Sequence, residues 1–256
     1  MAILRPLLIA LQFLTRLPIS LNGAPDERDL GRSLLYYPLV GLLLGALLAA
    51  LAWAPLGGGD TLRAALLLAV WVFASGGLHL DGLADSADAW VGGLGGRERT
   101  LMIMKDPNCG PAGVVALVIT LLLKFAALQA LLAHGAWVPL LLAPLLGRSA
   151  LPALFLTTPY VRPGGLGDVL ARCLPRRTAL VVVLVVLAGI PLATGIAGLW
   201  PLLAALLTFG WLRLLMLRRL GGTTGDTAGA LVEMVEVAVL VSAALACASW
   251  FSAATS

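Results

Sequence analysis

Charged residues are scarce in this sequence: Asp, Glu, Lys and Arg make up 12% of its 256 residues, against about 25% in a typical soluble domain. The mean hydropathy is +1.00, and the apolar residues come in repeated runs of about 20, the length that crosses a roughly 30 Å hydrocarbon core. These features exclude an ordinary soluble protein and predict an integral membrane protein.

Aromatic residues and cysteine pairs are also in short supply. Aromatic side chains make up 6% of the chain, and no segment alternates apolar with polar residues as the strands of an outer-membrane barrel do. The three cysteines are far apart in the sequence and form no CxxC pair, which argues against a disulfide framework or a structural zinc site. An all-α, polytopic membrane protein remains, with residues 1–256 as one membrane-embedded domain.

Seven apolar spans are predicted behind an N-terminal amphipathic helix. Arg5, Gln12 and Arg16 fall on one side of that first helix, opposite a Leu/Ile/Phe surface, so we expect it to lie at the membrane interface. An imperfect first span is the alternative. The predicted spans are residues 34–55, 61–80, 110–133, 136–158, 178–199, 200–217 and 228–251.

The number of Lys and Arg residues alternates between high and low in successive loops, which lie on opposite sides of the membrane. Most of the 17 basic residues fall on the N-terminal side of the bundle, which the positive-inside rule makes cytoplasmic. This set contains Arg5, Arg16, Arg28, Arg32, Arg97, Arg99, Lys105, Arg162, Arg172, Arg176, Arg177, Arg213, Arg218 and Arg219.

An acidic stripe follows the second span. Asp81, Asp85 and Asp88 occur at helical spacing and would project from one face, a turn apart, among small residues. Carboxylates this close repel one another unless a cation compensates them, and a set of hard oxygen ligands favours Mg²⁺ or Mn²⁺. A solvated acidic turn is the alternative. His79, just before the stripe, could be a ligand, a base or a simple hydrogen-bonding residue.

A basic loop comes next and leads into the third span. Arg97, Arg99 and Lys105 lie near Asp106 and a Pro/Asn/Gly turn, so backbone N–H groups at the start of the following helix could meet an anion. The pattern is weak evidence alone, because juxtamembrane cations are expected from topology in any case.

Further charges stand at the start of the last span and inside the membrane region. Gly222 and Gly225 would permit close backbone approach beside Asp226. Intramembrane charges are costly and normally face protein, water or a counter-charge. Pairing or a polar cavity is therefore expected for the set formed by Lys124, Arg148, Glu233 and Glu236.

Four segments carry a family resemblance: QFLTRLP, HLDGLADSADAW, IMKDPNCGPAGV and GGTTGDTAGA. In this order they resemble the cobalamin synthase family, the adenosylcobinamide-GDP ribazoletransferases. The resemblance implies a bacterial inner-membrane enzyme that joins adenosylcobinamide-GDP to α-ribazole or its 5′-phosphate and releases GMP, with Mg²⁺ as cofactor and its motifs on the cytoplasmic face. It implies no nucleic-acid partner. A homo-oligomer or an association with other enzymes of the pathway is possible.

Site roles follow from matching the residues to that reaction. Asp81, Asp85 and Asp88 are expected to hold Mg²⁺, and Asp226 to complete the metal shell or accept a proton. Asp81, Lys105 and Asp226 are the expected catalytic residues. The expected substrate-binding residues are His79, Arg97, Arg99, Asp106, Arg148, Gly222, Gly225 and Glu233.

Two other functions compete with this assignment. A metal- or proton-coupled transporter would place ionisable groups near the membrane midplane on broken helices, whereas here most acids gather at one face. The acidic stripe also resembles that of CDP-alcohol phosphotransferases, but Asp85 stands where that motif has Arg, and its distal half is missing.

Overall fold

The computed structural model describes residues 4–21, 23–54, 57–94 and 96–254. Within them the structure is helical, and the only β-type pairing is an isolated parallel bridge between Tyr160 and Thr223. The twelve α-helices of this part of the chain are α1 Leu4–Leu14, α2 Glu27–Ser33, α3 Tyr37–Trp53, α4 Gly59–Ser75, α5 Leu78–Gly92, α6 Arg97–Ile103, α7 Pro111–Ala133, α8 Val138–Thr157, α9 Leu166–Cys173, α10 Arg176–Thr194, α11 Leu199–Leu220 and α12 Gly225–Ala254.

Five helical stretches in the described residues are long and apolar enough to cross a membrane, and a sixth candidate is the bent pair α4–α5. This confirms the all-α polytopic membrane class. Helix α1, with 11 residues, is shorter than a span. The predicted first span runs on to residue 55, which lies outside the described residues.

The stretch from α10 to α11 folds back on itself. Its 45 residues would reach about 67 Å as one straight helix, twice the membrane core. Arg176, at its start, donates to the carbonyl of Leu156, and Arg213, near its end, donates to the Thr158 hydroxyl. Both ends therefore meet the C-terminal end of α8, so this stretch supplies two crossings. The total reaches the predicted seven if the α4–α5 pair is also one crossing.

The second predicted span ends earlier than expected. Helix α4 stops at Ser75, and α5 leaves it at an angle of 88°. Gly76 and Gly77, between the two helices, have φ values of +68° and +67°, a left-handed conformation that costs glycine little. The bend puts His79 and the acidic stripe on a separate helix, at the N-terminal end of the bundle.

Helix α12 lies at the centre of the bundle, against α5, α7, α8 and α11. The most extensive contact between two helices is that of α3 with α8, and glycines on α3 let the two backbones approach closely. A Cβ on Gly45 would lie 2.8 Å from the Cα of Leu141, so only glycine fits there. Small residues at helix contacts are the usual means by which membrane helices approach.

Candidate functional site

The acidic stripe faces the start of α12. A Cβ on Gly82 would lie 2.7 Å from the carbonyl oxygen of Asp226, and one on Gly229 would lie 3.4 Å from His79. These glycines let α5 and α12 approach closely, and the negative charges of Asp81 and Asp226 both act on Asp85. The structure therefore brings together acids from two motifs that are more than 130 positions apart in the sequence.

Asp88, which its spacing predicts as a metal ligand, makes two hydrogen bonds to backbone N–H groups. Its Oδ2 accepts a hydrogen bond from the backbone N–H of Gly110 at 2.7 Å, and its Oδ1 accepts one from Gly113 at 2.9 Å. The N–H groups in the first turn of a helix lack partners within the helix. Asp88 thus caps α7 and ties it to α5, with both carboxylate oxygens engaged.

Asp226 pairs with an arginine that the sequence-based assignment left out. Arg162 Nη1 donates to Asp226 Oδ2 at 2.8 Å, and its Nη2 lies 3.4 Å from the carbonyl oxygen of Met104. Arg162 reaches this position because the bridge between Tyr160 and Thr223 joins the α8–α9 loop to the start of α12. In the sequence, Arg162 begins an Arg-Pro-Gly-Gly segment, and this segment could have marked it as a candidate site residue.

A cavity of about 320 Å³ opens beside this ion pair. His79, Asp81, Arg162 and Asp226 line it together with apolar side chains from α8 and α9. His79 is 4% exposed, and its Nδ1 has no hydrogen-bond partner. On the cavity wall, burial raises the pKa of the Tyr160 phenol, while the positive charge of Arg162 opposes that rise.

The basic loop lies at the surface. Arg97, Arg99 and Lys105 are exposed and have no ion-pair partner among the described residues. Asp106 accepts hydrogen bonds from the backbone and side-chain nitrogens of Asn108, which lower the pKa of its carboxyl group. Lys105 directly follows Met104, whose carbonyl Arg162 approaches. The loop is thus next to the site without entering the cavity.

Arg148 and Glu233, predicted to bind substrate, belong to a separate buried cluster. Lys124 Nζ donates to Glu233 Oε2 at 2.6 Å and to Glu236 Oε2 at 2.5 Å, and Arg148 pairs with Glu236 Oε1. All four residues are at most 4% exposed, and Lys124 Nζ lies 4.5 Å from the Trp71 ring centroid. The four charges balance and join α7, α8 and α12.

The glycines of the second acidic motif divide in the same way. Gly222 is buried against the backbone of Pro159, where a side chain would collide with Val161. It therefore serves the packing of the α11–α12 turn. Gly225 opens α12, is exposed and lines the cavity, so it does belong to the site.

The fit to a divalent cation is partial. Within the described residues, no group of three or more His, Cys, Asp and Glu side chains is arranged to hold a metal ion. Asp88 binds backbone N–H groups and Asp226 binds Arg162, whereas Asp81 and Asp85 have no hydrogen-bond or ion-pair partner in that part of the chain. The unpaired negative charge and the hard oxygen donors suit Mg²⁺.

Comparison with known proteins decides the family. The sequence profile of cobalamin-5-phosphate synthases matches residues 6–244, nearly the whole chain. The chain belongs to this family. Among its relatives, the adenosylcobinamide-GDP ribazoletransferases of Pseudomonas paraeruginosa and Pseudomonas aeruginosa are each 62% identical over 242 residues, 94% of this chain and 98% of the relative.

A third member of the cobalamin-5-phosphate synthase family, the adenosylcobinamide-GDP ribazoletransferase of Pseudomonas putida, is 61% identical over 240 residues, with the same coverage. No solved structure matches the chain. The family confirms the resemblance seen in the four motifs. Neither the transporter nor the CDP-alcohol phosphotransferase alternative is supported by these relatives.

Proposed function

We propose that this protein transfers the cobinamide phosphate group of adenosylcobinamide-GDP to α-ribazole or its 5′-phosphate and releases GMP. The observation that carries the proposal is the meeting of Asp81, Asp226 and Arg162 on the wall of one cavity. Asp85 lies near enough for the charges of Asp81 and Asp226 to act on it. Transfer at a diphosphate requires charge stabilisation, a proton acceptor and a site for the acceptor alcohol. The names of the relatives agree with this reaction.

In the reaction, an acceptor hydroxyl attacks the phosphorus that carries the cobinamide group. A new P–O bond forms to the acceptor, the P–O bond between the two phosphates breaks, and GMP leaves with the bridging oxygen. The hydroxyl proton passes to a carboxylate. We assign this role to Asp226, whose Oδ2 lies 2.8 Å from Arg162 Nη1.

Arg162 has a second role in this proposal. Its planar guanidinium matches phosphate oxygens well, so an incoming diphosphate would compete with Asp226 for it. Binding of substrate would then free the Asp226 carboxylate to accept the proton. We assign phosphate binding also to Lys105, which is exposed in the basic loop beside Met104.

Asp81 and Asp85 are the residues that would hold a Mg²⁺ ion, and Asp226 keeps the role of proton acceptor. A bound Mg²⁺ neutralises negative charge on the diphosphate and on the departing GMP. We leave Asp88 out of this set, because its two oxygens hold the start of α7 through backbone hydrogen bonds.

We place the site at the cytoplasmic face of the bacterial inner membrane. The positive-inside pattern of the basic residues supports this placement, and the acidic stripe, Arg162 and the basic loop all lie at the basic end of the bundle. The adenosylcobinamide-GDP and ribazole substrates would then come from the cytoplasm.

The test is GMP release by detergent-purified protein supplied with adenosylcobinamide-GDP, α-ribazole and Mg²⁺. We expect product only when all three are present, loss of activity with EDTA, and recovery when Mg²⁺ is restored. Folded protein that releases no GMP would refute the transferase function. Activity that persists in EDTA would refute the metal assignment alone.

The first variant to examine is Asp81→Asn. This substitution removes one carboxylate charge from the cation site and keeps the shape of the side chain. We expect turnover to fall by about 100-fold or more, because charge stabilisation at the transition state is lost. The matched control is Asp60→Asn, at the opposite end of α4 in a partly exposed ion pair with Arg63. Equal activity of the two variants would contradict the assignment.

A further inference from the structure

We infer that the cavity below the Arg162–Asp226 pair binds the benzimidazole ring of the acceptor nucleoside. This inference rests on the proposed function and adds which substrate group the cavity takes and what selects it. The cavity has a charged, open end and an apolar, buried end. The reacting hydroxyl would lie at the first and the base at the second.

The burial of the lining residues shows this polarity. Asp81 is exposed, and the side chains of Arg162 and Asp226 are 26% and 20% exposed. Among the apolar lining residues, Leu151 and Leu170 are each 4% exposed and form the buried part of the wall, whereas three others are 37–41% exposed. A molecule that enters past the charges therefore meets a hydrocarbon wall, which suits a group without polar edges.

The volume selects among the groups of the two substrates. A cavity of about 320 Å³ is at the small end of ligand pockets, which run from about 300 to 1,000 Å³. A single nucleoside fits such a space, and a corrin macrocycle does not. The base of α-ribazole and the guanine and adenine of adenosylcobinamide-GDP are the candidates that remain.

Hydrogen-bonding capacity favours the benzimidazole. His79 is 4% exposed, and its imidazole Nδ1 has no hydrogen-bond partner. Dimethylbenzimidazole attached to ribose has one ring nitrogen with a free lone pair and otherwise apolar edges, so one N–H from His79 satisfies it. Guanine and adenine each carry several donors and acceptors, and burial of such groups without partners is unfavourable.

Aromatic side chains provide flat walls for a planar ring. Phe155 and Tyr160 are stacked with centroids 6.0 Å apart, and Phe13 and Tyr37 with centroids 6.2 Å apart. All four residues line the cavity. Stacking on such walls adds to the burial of an aromatic base.

The experiment compares two acceptors, α-ribazole and the ribonucleoside of benzimidazole without its two methyl groups. Steady-state GMP release gives kcat/KM for each acceptor at saturating adenosylcobinamide-GDP. Leu170→Phe makes the cavity smaller, and Phe155→Leu makes it larger. The control is Leu184→Phe, on a side chain of α10 that is 54% exposed.

We expect Leu170→Phe to shift the ratio of the two kcat/KM values toward the smaller base by about tenfold or more, the effect of one or two methyl groups in a hydrophobic pocket. Phe155→Leu should weaken discrimination between the two bases. Leu184→Phe should leave the ratio unchanged, and KM for adenosylcobinamide-GDP should stay within about twofold in all variants.

An unchanged ratio in either cavity variant would overturn the inference, as would a rise in KM for adenosylcobinamide-GDP in place of the acceptor effect. A partial folding defect lowers both kcat/KM values by the same factor, so their ratio still reports on the folded protein. If Leu170→Phe does not fold at all, Phe155→Leu gives an independent test. Absence of GMP release from the unsubstituted protein with either acceptor would refute the proposed function itself.

Discussion

Asp88 shows how one residue of a uniform-looking stripe differs from its neighbours. Asp81, Asp85 and Asp88 share a helix face and a spacing, yet only Asp88 meets the free N–H groups of α7. A carboxylate at a helix N-terminus is stabilised by those hydrogen bonds and by the helix dipole. Asp88 therefore ties the helix that carries Asp81 and Asp85 to the start of α7.

Replacement of Asp88 by Ala should destabilise the fold. The substitution leaves two N–H groups without their acceptors, and hydrogen bonds to charged groups contribute about 1.5–3 kcal/mol each. Because Asp88 is half-buried, water replaces part of this contribution, and we expect the free energy of unfolding to fall by about 2–4 kcal/mol. Denaturant titration in detergent measures it. Glu98→Ala, on exposed α6, is the control, and equal stability of the two variants would contradict the role of Asp88.

Helices were more predictable from this sequence than contacts between them. Apolar runs of about 20 residues fix where helices cross, because hydrocarbon leaves the backbone no other partners. The bend between α4 and α5 was missed, although Gly76-Gly77 was its visible sign. The short helices α2, α6 and α9 were missed too, since they lie outside the apolar runs that predicted the spans.

For the site, too, individual residues could be predicted from the sequence, whereas their pairings could not. The acids stood out because they interrupt apolar sequence. The pair between Arg162 and Asp226 spans 64 positions, and that between Lys124 and Glu236 spans 112. Pairings at that separation depend on which helices pack together, which periodicity does not reveal. Arg148 and Glu233 were accordingly assigned to substrate when the structure gives them a place in the buried ion cluster.

The contact between α3 and α8 depends on glycine. Gly45→Ala would place a methyl group 2.8 Å from the backbone of Leu141, so the helices must separate, and we expect a lower Tm in detergent by several degrees. Gly210→Ala on α11 is the matched control, because nothing lies within 4 Å of its added Cβ. There, alanine should keep or raise Tm, since it favours the helix. A Gly45→Ala protein as stable as the control would show that α3 and α8 can part without cost.

Across the whole molecule, charge is balanced inside and biased outside. The buried cluster pairs Lys124 and Arg148 with Glu233 and Glu236. Two positive and two negative charges are present, so the apolar interior encloses no net charge. Loss of one partner from a buried pair costs about 3–5 kcal/mol, because the other charge is left uncompensated. The cluster thus fixes how α7, α8 and α12 assemble.

Lys124→Met should therefore unfold more easily than the original protein by about 3–5 kcal/mol, measured by denaturant titration in detergent micelles. The double variant Lys124→Met/Glu233→Gln removes the stranded charge while Arg148 still compensates Glu236. We expect it to recover part of the loss. A double variant no more stable than Lys124→Met would show that charge balance is not what the cluster provides.

The orientation of the bundle can be read with native cysteines. Cys109 is exposed and lies next to Gly110, which binds Asp88, so it marks the site end of the molecule. In a variant with Cys173 and Cys247 changed to Ser, a membrane-impermeant maleimide should label Cys109 in inverted vesicles and not in intact cells with the outer membrane opened. Trp137→Cys, in a background lacking the native cysteines, marks the opposite end and should label in the reverse pattern. Labelling of Cys109 from outside would reverse the proposed topology.

The bridge between Tyr160 and Thr223 has a consequence for how the protein is made. Asp81 and Asp85 leave the ribosome early, but the turn that holds Arg162 against Asp226 needs residues from both ends of the α8–α12 segment. During synthesis the acids of α5 must remain without their neighbours until the last helix has been inserted. The site is therefore completed at the end of translation, and a chain that stops before α12 would enter the membrane without it.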